Sequence, residues 1–158
     1  MTTPAAITDE TPADAPAVEA LVAAAFGPGR FAKTAERLRE RAALAFGLVT
    51  RGDAGVTGSV RLWRIVVGET PALFLGPITV RADQRKAQLG ARLVEAAVAR
   101  AEAEGAAGVL LVGDLAYFER FGFEAAPGVV LPGPVDQRRV LWRAISADAP
   151  AGLLAAVR

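Results

Sequence analysis

The chain predicts an α/β (α+β) fold, one domain of 158 residues with a mixed central sheet and helices beside it. Three observations predict it. A heavily apolar strand pattern, Leu73–Val80, runs through a basic loop into the clearest helix of the chain, Gln88–Glu104, and from there into a second apolar run, Val109–Val112. Two helical patterns precede that unit in the first 43 residues. From Phe46 the period switches to that of an antiparallel hairpin rich in β-branched and aromatic residues.

In order, Ala6-Ile7-Thr8 is a short strand. A helix starts at Asp14, a good N-cap, with Pro16 in the first turn where a missing N–H costs nothing. Its stripe is Val18, Leu21, Val22 and Ala25, and Gly27-Pro28-Gly29 stops it. A second helix covers roughly Ala32 to Ala43, with Phe31, Ala35, Leu38 and Ala42 on its buried side and its many charges read as a solvated face. Phe46–Arg51, a turn at Gly52-Asp53 and Thr57–Val67 make the hairpin. Ser59, Arg61, Trp63 and Ile65 share one of its faces, and Trp63 reads as a packing residue.

Gly68–Pro71 is the next turn, before the Leu73–Val80 strand. Pro77 within that strand offers no N–H to a ladder and Gly76 no side chain. They mark either an edge or bulge, or a break in pairing that frees the amides of Ile78 and Val80 for a ligand. In Gln88–Glu104 the residues Leu93, Val94, Ala97, Val98 and Ala101 form a buried stripe, and Gly105 suits the position after the last helical residue. A helix between two strands makes Val109–Val112 parallel to Leu73–Val80, with a right-handed crossover. Leu115–Phe121 is a short helix ended by Gly122, Phe123 begins a strand, Pro127–Pro134 is a loop and Arg139–Ile145 is the last strand.

Composition narrows the chemistry. With 18 basic and 17 acidic residues, nothing points to nucleic acid or to a membrane surface. No apolar run approaches the roughly 18–20 residues of a membrane span, and the acidic N-terminus is unlike a secretory signal, so a soluble, cytoplasmic protein is expected. Cysteine and histidine are absent. Disulfides, Cys/His zinc sites and histidine-based triads are therefore excluded, and no metal site is expected. A direct transfer without a covalent enzyme intermediate fits what remains.

The basic loop is the natural ligand site. A helix start exposes unpartnered N–H groups and partial positive charge, and Arg85 and Lys86 add two full charges. The anion that fits is the pyrophosphate of a nucleotide-like cofactor such as coenzyme A.

Leu75-Gly76-Pro77-Ile78-Thr79-Val80, the loop ending Leu89-Gly90, and Leu111-Val112-Gly113-Asp114 followed by Tyr117-Phe118-Glu119-Arg120-Phe121-Gly122-Phe123 resemble the GNAT superfamily of acyl-CoA-dependent N-acetyltransferases. The segments Phe26–Thr34 and Leu131–Asp136 are similar to one bacterial branch of it, so the likeness spans nearly the whole chain. The resemblance implies a sheet of about six to seven strands with about four helices. Acetyl-CoA would lie where Leu73–Val80 and Val109–Val112 splay apart. It also implies that the Ile78 amide meets the developing oxyanion, that Thr79 and Val80 hold the pantetheine arm, and that Arg85, Lys86, Ala87, Gln88, Leu89, Gly90 and Ala91 cradle the pyrophosphate. The acceptor would be a small-molecule amine, and the family leaves a homodimer open.

Two departures stand out. Gln88 occupies a position that is glycine in the family, either donating its amide to a phosphate or obstructing the site. The family's thiolate-protonating tyrosine falls on Phe118, with Tyr117 one residue, about 100° of helix, earlier. Tyr117 is therefore either a proton donor or a packing residue with a surface hydroxyl. Asp114 is the best-placed carboxylate for a base, or else the N-cap of the following helix; Glu69 and Glu119 are weaker candidates. The alternative to an enzyme is a non-catalytic relative with weakened or lost coenzyme A binding, acting as a binding or regulatory module.

Overall fold

The computed structural model describes residues 6–53, 55–83 and 88–158. Their order is β1 (Ile7–Asp9), α1 (Ala15–Phe26), α2 (Thr34–Arg41), β2 (Leu44–Gly52), β3 (Gly55–Val67), β4 (Thr70–Val80), α3 (Leu89–Ala103), β5 (Gly108–Val112), α4 (Leu115–Phe118), β6 (Glu124–Ala125), β7 (Val129–Val130), β8 (Val140–Ala144) and β9 (Gly152–Ala156). Strands lie in the order β1-β2-β3-β4-β5-β8-β6, while β9 pairs with the end of β3 and with β7. Among the described strands only β4–β5 and β7–β9 are parallel, so the sheet is mixed. None of the described helices is long and apolar enough to cross a membrane, and no described cluster of acidic residues could hold a metal ion.

The sheet is covered on both faces. The α3 stripe, from Leu89 through Leu93, Val94, Ala97 and Val98 to Ala101, packs on Leu48, Val60, Leu62, Leu73 and Leu75. The opposite face carries a second core in which Leu38 of α2 meets Ile65, Phe74, Leu110, the fully buried Trp142, and Leu154 of β9. Val18 and Val22 of α1 close on Val49 of β2, on the side opposite Leu48 because side chains alternate along a strand. A crossover helix between parallel strands imposes this layering.

Several expectations are corrected. The described sheet has nine strands, not six or seven: β7 lies within the anticipated Pro127–Pro134 loop, and β9 follows the strand expected to be last. Asp14 stands at the N-cap position of α1 as expected, but its carboxylate makes no cap bond to that helix and instead turns back to accept from the Thr11 N–H at 2.8 Å and hydroxyl at 3.0 Å. In α1 only Val18 and Val22 are buried, while Ala25 is exposed. Phe31 is 51% exposed, with the Arg30 guanidinium 4.6 Å over its ring. The α2 charges are not all solvated, since Glu36 and Arg39 are tucked inward.

Pro77 sits at a bulge. Leu62 opposes Leu75 and Val60 opposes Ile78, so β4 spends one residue more than β3 across this stretch. The extra residue reverses which face each side chain meets. Leu73 and Leu75 point to the α3 side before it, and Ile78 and Val80 point there after it. The Gly76 φ of +142° suits glycine, and the Trp63 indole N–H donates to the Gly76 carbonyl at 2.6 Å, pinning the bulge. The Gly76–Pro77 peptide is cis.

Candidate functional site

β4 and β5 pair only at Leu73–Val109 and Phe74–Leu110. Beyond that point both continue without pairing to each other, and a gap opens between Leu75–Val80 and Leu111–Val112. The Arg81 N–H donates to the Thr57 carbonyl at 2.8 Å, and Val80, Thr79 and Ile78 follow opposite Gly58, Ser59 and Val60. Opposed residues in an antiparallel ladder alternate between bonded and non-bonded pairs. Thr57–Arg81 and Ser59–Thr79 are therefore bonded pairs, and the amides of Ile78 and Val80 turn away from β3, toward the gap. Thr79 is the exception among the three expected cofactor-side residues. Its amide faces β3, and its side chain is buried with Oγ1 lacking a hydrogen-bond partner.

The gap widens into a cleft of about 770 Å³. Its floor is Leu75–Ile78 and Leu111–Gly113; Gly90 and Val94 of α3 and Asp114, Tyr117 and Phe118 line the α3/α4 side, and Arg30, Glu36 and Arg39 line the α2 side. The first backbone bond of α3 runs from the Arg92 N–H to the Gln88 carbonyl. The amides of Leu89, Gly90 and Ala91 thus precede any intrahelical acceptor and are the free donors of a helix start. The Leu89 side chain belongs to the core, so its contribution to the site is its amide.

Gln88 takes φ 54° and ψ 30°, the only positive φ outside glycine among the described residues. The chain turns into α3 in the left-handed conformation that glycine adopts freely, and a glutamine carries it. Arg85, Lys86 and Ala87 lie outside the described residues.

Tyr117 lines the cleft. A Cβ placed on Gly90 would lie 4.0 Å from its hydroxyl, which puts the hydroxyl at the start of α3 rather than out on the surface. The Arg120 guanidinium lies 4.6 Å from the centre of its ring. Phe118, where the family tyrosine is expected, is held by packing: its ring stands 5.8 Å from Phe123 and so near Gly113 that a Cβ there would approach to 2.5 Å. Asp114 caps α4, its Oδ1 accepting from the Ala116 N–H at 3.1 Å, and it also borders the cleft. Glu69 and Glu119 are exposed and outside the lining.

Sequence reasoning missed the α2 side. Glu36 and Arg39 have side chains only 14% exposed and are joined by an Arg39 Nη2 to Glu36 Oε2 hydrogen bond of 2.9 Å. Burial pushes the Arg39 guanidinium below its ordinary range, Glu36 opposes that, and the charge of Arg30 adds to it. Arg30 reaches Glu36 at 3.8 Å and Glu19 at 3.6 Å, while its Nε and Nη1 are buried without acceptors. Arg39 Nη1 lies 3.1 Å from where a Gly76 Cβ would be, so the missing side chain lets the guanidinium tuck against the bulge. No local pattern marks these two residues, and the stripe expected from Phe31, Ala35, Leu38 and Ala42 is narrower in the structure, where Thr34 and Leu38 are the buried residues of α2.

Comparison with known proteins agrees with this architecture. Residues 15–123 match the model of the Acetyltransferase (GNAT) family. The uncharacterized N-acetyltransferase YhbS of Escherichia coli K12 is 35% identical over 120 residues, covering 74% of this chain and 72% of that protein. The crystal structure of E. coli YhbS in complex with CoA superposes with a TM-score of 0.83 at 31% identity, covering 99% of this chain and 93% of the other. A GNAT family acetyltransferase from Brucella melitensis in complex with acetyl-CoA gives 0.76 at 28% identity, over 96% and 95%. This chain belongs to the GNAT acetyltransferase family.

Proposed function

We propose that the protein is an acetyl-CoA-dependent N-acetyltransferase that moves the acetyl group to the amine of a small molecule by direct attack in a ternary complex. The observation that carries this reading is the pair of amides, Ile78 and Val80, turned into a gap that the start of α3 also borders. The cleft fits such a cofactor: main-chain donors run along one wall, free helix amides stand at its mouth, and its 770 Å³ suits a sizeable ligand. When bound, the thioester supplies an electrophilic carbonyl. The acceptor nitrogen attacks it, a C–N bond forms as the C–S bond breaks, nitrogen gives up a proton and sulfur takes one.

In this reading the Ile78 N–H donates to the carbonyl oxygen as it gains negative charge, a role worth about 3–4 kcal/mol for one donor. Val80 offers the next amide along the same wall, to the pantetheine arm, with Thr79 setting the spacing between them. The amides of Leu89, Gly90 and Ala91, together with Arg85, Lys86, Ala87 and Gln88, receive the pyrophosphate. Tyr117 protonates the departing sulfur, its hydroxyl standing on the cleft side near Gly90. Asp114, its Oδ1 already engaged by the helix cap, is the carboxylate nearest this end for taking the amine's proton, directly or through water.

The second reading, a binding or regulatory module that has lost catalysis, rests on Gln88 holding the glycine-like turn. Calorimetric titration with acetyl-CoA, followed by thiol release against a panel of amines, separates the two. Binding with amine-dependent release of thiol is the expected result. Binding without release by any amine favours the module, and absence of binding overturns the cofactor assignment.

A further inference from the structure

We infer that the acceptor is an amine that also carries an anionic group, and that Arg39, backed by Arg30, is the site for that anion; this rests on the acetyltransferase reading for the identity of the other substrate. Four cations line the cleft, Arg30, Lys33, Arg39 and Arg139, against three carboxylates, Glu36, Asp114 and Asp136. Those carboxylates are engaged. Glu36 serves Arg39 at 2.9 Å, Asp136 holds Arg138 at 3.1 Å, and Asp114 caps α4.

Arg30 is left poorly compensated. It has no carboxylate within hydrogen-bond reach, two of its nitrogens are buried without acceptors, and its nearer partner, Glu19, is 54% exposed and hydrogen-bonded to Arg61 at 2.5 Å. Buried donors without acceptors are costly. One carboxylate shared between two largely buried guanidiniums leaves a positive charge at the cleft wall for a ligand to neutralise.

Position completes the argument. Arg39 reaches beneath Gly76, two residues before the Ile78 amide, so an anion on its fork sits at the α2 side of the reacting centre, opposite the start of α3. The cofactor's phosphates are assigned to the α3 end, which leaves the arginines for the acceptor. A guanidinium fork also suits a planar carboxylate or a phosphate better than a point charge does.

The test pairs amines that differ only in the anion: α-amino acids against their amides, and ethanolamine phosphate against ethanolamine. For the wild type, kcat/KM for the charged member of at least one pair exceeds its neutral partner by about 10- to 100-fold, the range of a hydrogen bond to a charged group. The two pairs distinguish carboxylate from phosphate. Arg39→Gln collapses the ratio toward one through KM, while Arg39→Lys keeps part of it and guards against a misfolded first variant. Acetyl-CoA affinity, measured separately, stays unchanged in both variants and reports that the fold is intact. Ratios near or below one in the wild type, or a ratio that survives Arg39→Gln, overturn the proposal. If no amine is turned over, calorimetry of the same charged amines with wild type and Arg39→Gln decides it: binding lost in the variant supports the site, and equal or absent binding rejects it. Failure of acetyl-CoA to bind sinks the enzymatic reading, and the anion titration on the cofactor-free protein still decides the arginine site.

Discussion

At the α3 end of the cleft the polar groups that face a ligand are mostly main-chain amides: Ile78, Val80 and the first turn of α3. At the α2 end they are side chains, with Glu36 and Arg39 in a buried pair and Arg30 beside it. The difference separates what the fold guarantees from what this chain has chosen. Amide direction follows from register and from where a helix begins, so it persists through many side-chain changes. A guanidinium tucked beneath a glycine depends on particular residues at particular positions, and one substitution can abolish it. On the proposed reading the α3 end carries the shared chemistry and the α2 end the choice of substrate.

Replacing Ile78 by proline strikes the first end hardest. Proline carries no N–H, and because the Ile78 amide turns away from β3 its removal breaks no ladder bond. Losing one oxyanion donor costs about 10²–10³ in rate, so kcat is expected to fall by about that factor with the sheet intact. Steady-state kinetics and denaturant unfolding measure both, and a wild-type kcat would refute the amide-based account.

Tyr117→Phe tests the side chain proposed to protonate the departing sulfur. General acids typically contribute 10²–10⁴, so kcat is expected to fall about 10²-fold with acetyl-CoA affinity intact. An unchanged kcat would return Tyr117 to a packing role among Phe118 and Phe121.

Glu36→Gln sharpens the contrast from the other side. It leaves Arg39 and Arg30 without their shared carboxylate and is expected to cost about 2 kcal/mol of stability, read by denaturant unfolding. Acetyl-CoA affinity should not move. A parallel loss of cofactor binding would show that the two ends are coupled, and that dividing them is wrong.

Much of this molecule was legible in its sequence because local patterns and tertiary outcome agree. The α3 stripe from Leu93 to Ala101, the apolar run of β5 and the β2–β3 hairpin all appear where periodicity puts them. The bulge was visible as Gly76-Pro77, although the direction of the amides after it needed the register. β9 was not legible. Gly152-Leu153-Leu154-Ala155-Ala156 carries no β-branched residue, and it is a strand because Ile65–Val67 offers it an open edge. β7 is two residues defined by that same partner. The α2 site was missed for a related reason. A charged side chain reads identically whether it faces water or a cleft, and what settles the matter for Glu36 and Arg39 is the bulge of β4, some forty residues away in sequence, lying across from them.

Gln88→Gly is the smallest expected change and it bears on the α3 end alone. A left-handed conformation costs a residue with a Cβ about 1–2 kcal/mol, while glycine gives back part of that through its greater freedom when unfolded. The balance predicts a stabilisation below about 1 kcal/mol, seen as a slightly higher denaturation midpoint. Affinity for acetyl-CoA decides what the side chain does. If Gln88 donates its amide to a phosphate, the glycine variant binds more weakly. If the glutamine obstructs the mouth of the helix, the variant binds more tightly. Binding that appears only in the variant would mean that this chain has kept the main-chain architecture and closed it with one side chain.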